Sequence, residues 1–250
     1  MLVTTSRHKI LVVGASGATG LRVVKQLLEL DLHVTIIVRC VNSFPKSILN
    51  HHRLRATQST LLEMSDAELQ KMVQGCTAVI SCLGHNLTFK GLYGHPRRLV
   101  TQAVCRLCQA IKTVNTGDPV KFILMNTTGN QNKQAGEHVS FAQRLVVGVI
   151  RYLIPPHADN EAAAAYLQTY QGTKDQVHNN IIEWVVVRPD SLINDETVSA
   201  YTLYPSPIRS AIFDAGKTSR INVAHFMTQL VVCGSTWQSW RFKMPVIYNS

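Results

Sequence analysis

An α/β fold, a doubly wound parallel sheet with helices on both faces, is predicted by three observations in the 250-residue sequence. The apolar run Ile10 to Val13 leads straight into the glycine-rich turn Gly14 to Gly20, GASGATG, and an amphipathic helical pattern follows at once. Short β-branched runs then alternate with helical patterns down the chain, the spacing of right-handed βαβ units. These runs stop at small or polar residues (Gly14 to Gly20, Arg39, Cys82 to Gly84, Asn126 to Gly129), and in such a sheet ligands lie at the carboxyl ends of the strands.

Each element has its own signal. Ile10 to Val13 reads as a buried parallel strand, and in the helix after it Val23, Val24, Leu27, Leu28 and Leu30 face away from Arg22, Lys25, Gln26 and Glu29. His33 to Val38 is a second strand, Arg39 to Pro45 a loop, and Leu54 to Thr57 a weaker third strand. Ser65 and Glu68 form a capping box for a helix that runs to about Gln74 and is ended by Gly75. Thr77 to Leu83 is the fourth strand, Pro96 to Val114 a long helix and Val120 to Met125 the fifth strand.

The segment from Ser140 to Ile154 is apolar and helical, too short to span a bilayer, and stopped by Pro155-Pro156; it reads as a core helix or a cap over the substrate. Glu161 to Tyr170 is a further helix, Glu183 to Val187 a sixth strand closed by Arg188-Pro189, and Asn222 to Val232 the last helix. The tail Trp237 to Ile247 reads as an ordered closing strand. A single domain over residues 1–250 is expected, with the substrate side built from about residues 130 to 215.

The net charge of +10 is spread along the chain and not gathered into a basic arm or an aromatic-interleaved stripe, so no nucleic-acid partner is expected. Met1 to Lys9 lacks the apolar middle of a signal peptide and no run is long enough for a membrane span, which leaves a cytoplasmic protein with a small-molecule substrate and an open oligomeric state as the expectation. The six cysteines are scattered, as reduced thiols are; Cys105 and Cys108 form a CxxC inside a helix, without a second ligand pair. No metal site is expected, and His51-His52 has no companions.

Glycines in the first turn let the chain bend sharply and let a pyrophosphate approach, and the free N–H groups at Ala18, Thr19 and Gly20 attract the anion. The turn therefore predicts a dinucleotide. Forms of this fold that bind NAD place an acidic residue at the end of the second strand, whereas this chain has Arg39 there. No Asp or Glu occurs between Asp31 and Glu63, while Arg39, Lys46, Arg53 and Arg55 are available. A guanidinium pairs with a 2′-phosphate that a carboxylate would repel, so the expected cofactor is NADP(H).

GASGATG, the strand ending Ile37-Val-Arg39, the stretch Ala78 to Gly84 and Trp184-Val-Val-Val-Arg-Pro189 together resemble the atypical short-chain dehydrogenase/reductases of Rossmann type. Within these the resemblance is to the NmrA-like group, which includes biliverdin-IXβ/flavin reductases and NADP-sensing regulators, over about Lys9 to Val232. It implies that Gly14, Ser16, Gly17, Ala18, Thr19 and Gly20 hold the pyrophosphate, Arg39 the adenosine phosphate, and Cys82, Leu83 and Gly84 the adjoining ribose. Asn126 and Thr127, at the fifth-strand end, would lie beside the nicotinamide. One departure concerns the adenine: the family carries Gly-Asp after the third strand, where this chain has Gln58-Ser59.

The resemblance also implies a catalytic Ser or Thr after the fifth strand and a Tyr four residues before a Lys, the lysine lowering the phenol pKa. Thr127 or Thr128 fills the first role, and Tyr170 with Lys174 matches the second literally. A register one helical turn earlier puts Tyr166 and Tyr170 in those places, without a lysine. Two functions follow. One is an NADPH-dependent reductase of a flavin, quinone or similar conjugated molecule, which accepts hydride without the dyad. The other is a non-catalytic NADP(H)-sensing regulator.

Overall fold

The apolar run at the start of the chain becomes β1 (Lys9–Val13), and its side chains alternate between two cores as the two-residue period of a strand demands. Ile10 and Val12 point into one layer, Leu11 and Val13 into the other. A strand with both faces covered must be apolar throughout, which is why no polar residue interrupts this run. The computed structural model describes residues 8–85, 96–115, 117–132, 135–137, 155–170 and 181–250. The helix expected over Ser140 to Ile154, together with Lys174, lies outside the described residues.

After β1 come α1 (Ala18–Glu29), β2 (His33–Val38), a 3-10 turn (Val41–Ser43), α2 (Lys46–Leu49), β3 (Leu54–Gln58), α3 (Asp66–Val73), β4 (Cys76–Ser81), α4 (Leu99–Val114) and β5 (Val120–Met125). The second half contains α5 (Pro155–Gln168), β6 (Ile182–Pro189), β7 (Ser191–Ile193), β8 (Tyr201–Tyr204), β9 (Lys217–Ser219), α6 (Arg220–Val232), α7 (Gly234–Trp240) and β10 (Val246–Asn249). Among the described residues eight strands form one sheet in the order β3-β2-β1-β4-β5-β6-β10-β8, parallel except for the antiparallel pairing of β8 with β10. The strand order reverses between β1 and β4, the switch point at which doubly wound sheets open a ligand crevice.

Helices α1 and α6 cover one face through Val23, Leu27, Phe226 and Leu230; α3, α4 and α5 cover the other through Leu69, Leu107, Ile111 and Leu167. The capping box at α3 forms as the sequence indicates, with Glu68 N–H on Ser65 Oγ at 3.3 Å and Ser65 N–H on Glu68 Oε2 at 2.7 Å.

Several boundaries differ from the sequence reading. Helix α5 already includes Pro155 and so extends well before Glu161. The long helix starts at Leu99, leaving Pro96 outside it. Trp237 is helical, in α7, which follows the helix expected to be last, and the closing strand is confined to Val246–Asn249. Strands β7, β8 and β9 are too short to carry a periodicity, and pairing alone defines them.

The loop after β5 is tied to the sheet by a wholly buried arginine. Arg188 on β6 donates to both carboxylate oxygens of Glu137, at 2.9 and 2.6 Å, and to the carbonyls of Met244 and Asn130. Asn132 N–H donates to the same Glu137 carboxylate at 2.6 Å. An arginine at the end of an apolar strand is accommodated because almost every guanidinium N–H has an acceptor.

Candidate functional site

At the carboxyl ends of β1, β2 and β4 the backbone of the glycine turn opens a cleft of about 560 Å³. It is lined by Gly14, Ser16 and Gly17 on one side, Arg39 on the second, and Cys82, Leu83 and Gly84 on the third. Gly14 has φ +72°, and a Cβ there would stand 2.5 Å from the Cys82 carbonyl group, so only glycine lets β1 turn beneath the end of β4. Gly20 packs its bare Cα side onto Gly14, holding helix and turn together. Thr19 and Gly20 are buried, while Ser16, Gly17 and Ala18 face outward.

Helix α1 has the open N-terminus that an anion requires. No side chain caps it at Gly17 and no acidic residue stands in its first turn, so its leading N–H groups and the positive end of its dipole meet the cleft unneutralised. The turn therefore fits a pyrophosphate by the chemistry of its donors and the space its glycines leave.

Arg39 is exposed on the cleft wall and makes no hydrogen bond or ion pair among the described residues. Arg53 does not share that position: its fork closes on Asp31 at 2.9 and 2.7 Å, at the amino ends of the strands, where it holds the Asp31 carboxyl below its ordinary pKa. Of Arg39, Lys46, Arg53 and Arg55, Arg39 is the one that lines the cleft. Burial pushes the Cys82 thiol up to about 12, so it stays neutral and serves as a small apolar wall. Sequence reasoning missed the remaining wall, Ser59 to Glu63 with Pro96, Leu99 and Gln102, because nothing local marks a loop as facing a cleft.

Asn126 and Thr127 do not line this cleft; they stand at the end of β5 in a polar cluster. The Asn126 side chain folds back into its own turn, accepting from Thr127 N–H at 2.9 Å and donating to Asn160 carbonyl at 2.9 Å. Thr127 Oγ1 accepts weakly from Gly129 N–H at 3.4 Å, and a Cβ on Gly129 would press the His157 ring at 3.1 Å. His157 Nε2 stands 3.4 Å from Glu161 Oε1. Thr128 is buried, with its N–H on the Pro189 carbonyl at 3.1 Å.

Asp159 links this cluster to the cleft. Its carboxylate accepts from Val100 N–H at 2.8 Å, Thr101 N–H at 2.9 Å and His85 Nε2 at 2.8 Å. Asp159 therefore caps α4 and not its own helix. His85, one residue after the cleft wall at Gly84, is thereby fixed beside the start of α5.

Tyr170 follows the C-terminal end of α5, whereas Asn126, the neighbour of Thr127, meets that helix at Asn160. Asn160 marks the level of Asn126, the end of α5 at Gln168 lies about 12 Å of helix axis beyond it, and Tyr170 lies further on. There its hydroxyl meets that of Tyr166 at 3.1 Å and its ring lies under Lys112 Nζ at 4.4 Å, near the far end of α4. Burial, then the Tyr166 hydroxyl, push the Tyr170 phenol pKa up, the opposite of what a proton-transferring tyrosine needs. Among the described residues no group of three or more His, Cys, Asp or Glu is placed to hold a metal ion, and no helix is long and apolar enough to cross a membrane.

A parallel sheet with a switch-point cleft, a glycine turn and an open helix N-terminus defines a dinucleotide-binding protein of Rossmann type. The family model described as NAD(P)H-binding matches residues 14–232, and the chain belongs to that family. Solved structures agree in fold. A short-chain dehydrogenase/reductase from Veillonella parvula in complex with NADP is 16% identical with TM-score 0.67, covering 97% of this chain and 94% of that one. ChuY, an anaerobillin reductase from Escherichia coli O157:H7, is 13% identical with TM-score 0.65, over 96% and 97% of the two chains. The oxidoreductase ylbE from Lactococcus lactis is 17% identical with TM-score 0.66, over 97% and 91%. No curated protein matches the sequence.

Proposed function

We propose that the protein is an NADPH-dependent reductase of a flavin, quinone or similar conjugated small molecule. The observation that carries this reading is Arg39, exposed on the cleft wall at the end of β2 within a stretch that has no Asp or Glu between Asp31 and Glu63, where a 2′-phosphate finds a two-pronged donor. The likeness to the NADP-bound Veillonella parvula protein and to ChuY supports it.

A bound NADPH supplies hydride from its nicotinamide. The protein's own residues bind and orient. Ser16, Gly17 and the first N–H groups of α1, from Ala18 to Gly20, take the pyrophosphate, Arg39 the adenosine phosphate, and the backbone from Cys82 to Gly84 the ribose. Thr127, positioned by Asn126, presents its hydroxyl on the nicotinamide side. Tyr170 is occupied with Tyr166, so the reaction is one whose acceptor takes hydride without a neighbouring phenol and draws its proton from water.

The same Tyr166–Tyr170 contact favours a second reading, a non-catalytic NADP(H)-sensing regulator. Steady NADPH consumption with a panel of flavins and quinones tests the two. Turnover that falls roughly tenfold in Thr127→Val supports the reductase. Tight cofactor binding without turnover across the panel supports the sensor and overturns the first reading.

A further inference from the structure

The residues that follow β3 depart from the family pattern at the adenine, and the structure shows what stands there instead. Gln58 Oε1 accepts from Val41 N–H at 3.4 Å, and Ser59 N–H donates to the Val38 carbonyl at 2.9 Å; both residues tie strand ends together. The chain then runs along the cleft from Ser59 to Glu63.

Helix α4 grips that loop through Arg106, whose Nη1 donates to the carbonyls of Leu61 at 3.1 Å and Leu62 at 2.8 Å. Its Nη2 donates to the Met64 carbonyl at 2.5 Å and to Asp66 Oδ1 at 2.8 Å. One turn earlier on the same face of α4, Gln102 lines the cleft, exposed, and its carboxamide makes no hydrogen bond among the described residues. Leu61, Leu62, Leu83 and Leu99 give the same part of the cleft apolar walls, a slot suited to a flat base.

We propose that Gln102 reads the adenine base of the cofactor, and that Arg106 is a positioning residue that holds the Leu61–Leu62 wall opposite it. Adenine presents an amino donor beside a ring-nitrogen acceptor, and a carboxamide answers with its oxygen and its NH2 group at once. The pairing is to the N6/N7 edge; there hypoxanthine presents two acceptors, O6 and N7, so a carboxamide turned either way sets its oxygen against one of them. This assignment rests on the cofactor lying in the cleft.

Calorimetric binding of NADP+ and of its hypoxanthine analogue to the whole chain tests it. The unmodified protein should prefer the adenine form by roughly tenfold, the discrimination of one two-pronged contact. Gln102→Leu, an exposed helix position taking a strong helix former, should bring the two forms within about twofold of each other. Arg106→Met should weaken both forms alike, and Arg106→Lys, which keeps charge but not the fork, should weaken them less. An undiminished preference in Gln102→Leu, or no preference in the unmodified protein, overturns the role of Gln102. Unchanged affinities in both Arg106 variants overturn the positioning role. If neither form binds the unmodified protein, the cofactor cleft itself is wrong, and this proposal falls with it.

Discussion

Asp159 Oδ2 and His85 Nε2 lie 2.8 Å apart, and both side chains are almost completely buried, at 1% and 5% exposure. The contact joins the end of β4 to the start of α5, while the same carboxylate takes the first N–H groups of α4. One side chain thus fixes three elements at the point where the cleft meets the fifth-strand end. Asp159→Ala leaves those donors buried without acceptors and should lower stability by about 3 kcal/mol in urea unfolding. A loss below about 1 kcal/mol would show that water reaches the site and replaces the carboxylate.

Arg39→Ala should weaken NADP+ roughly tenfold or more, the value of a charge-assisted two-pronged contact, and leave NAD+ binding unchanged. Calorimetry with both nucleotides measures the difference. Stronger binding of NAD+ by the unmodified protein, indifferent to Arg39→Ala, would remove the basis for NADP(H).

Gly14 and Gly75 separate steric from conformational demands, since both have positive φ, +72° and +69°, but only Gly14 faces other backbone. Gly75→Ala meets open space and should cost about 1 kcal/mol of thermal stability. Gly14→Ala should abolish dinucleotide binding and cost several times more, about 3 kcal/mol or above, because neither β1 nor the Cys82 carbonyl can move aside. Equal melting shifts for the two variants would contradict the geometry.

His225 donates or accepts with the Tyr201 hydroxyl at 2.8 Å, and burial lowers its pKa below the ordinary 6.5. A histidine whose folded pKa is depressed is kept neutral by the fold while the unfolded chain protonates near 6.5, so its contribution is present above that pH and is lost as pH falls below it. The melting temperature of His225→Gln should therefore decline less than that of the unmodified protein between about pH 7.5 and 5.5. Parallel declines would show that His225 titrates alike in both states.

The parallel sheet was legible because its signals are local. Six strands and the helices between them follow from periodicity, and His33–Val38 and Val120–Met125 agree residue for residue with the sequence reading. The short strands β7, β8 and β9 were not legible, since pairing with distant partners makes them strands at all. For the candidate site, the glycine turn, Arg39 and the fourth-strand end could be named from sequence, and the cleft brings all three together. The tyrosine register could not, because a YxxxK spacing specifies which residues share a helix face and nothing about where along the sheet that helix begins.

By itself the sequence determined the sheet, the dinucleotide turn and the basic residue at the end of the second strand, all properties of residues within a few positions of one another. Tertiary structure alone decided that Asp159 caps a helix other than its own, that Arg106 holds the cleft loop, and that the Tyr170 hydroxyl meets that of Tyr166. Each of these depends on partners brought together by the packing of α4 and α5 on the sheet. Hydrogen bonds need a few tenths of an ångström of accuracy, and no local pattern in the chain carries a distance between residues that only packing makes neighbours.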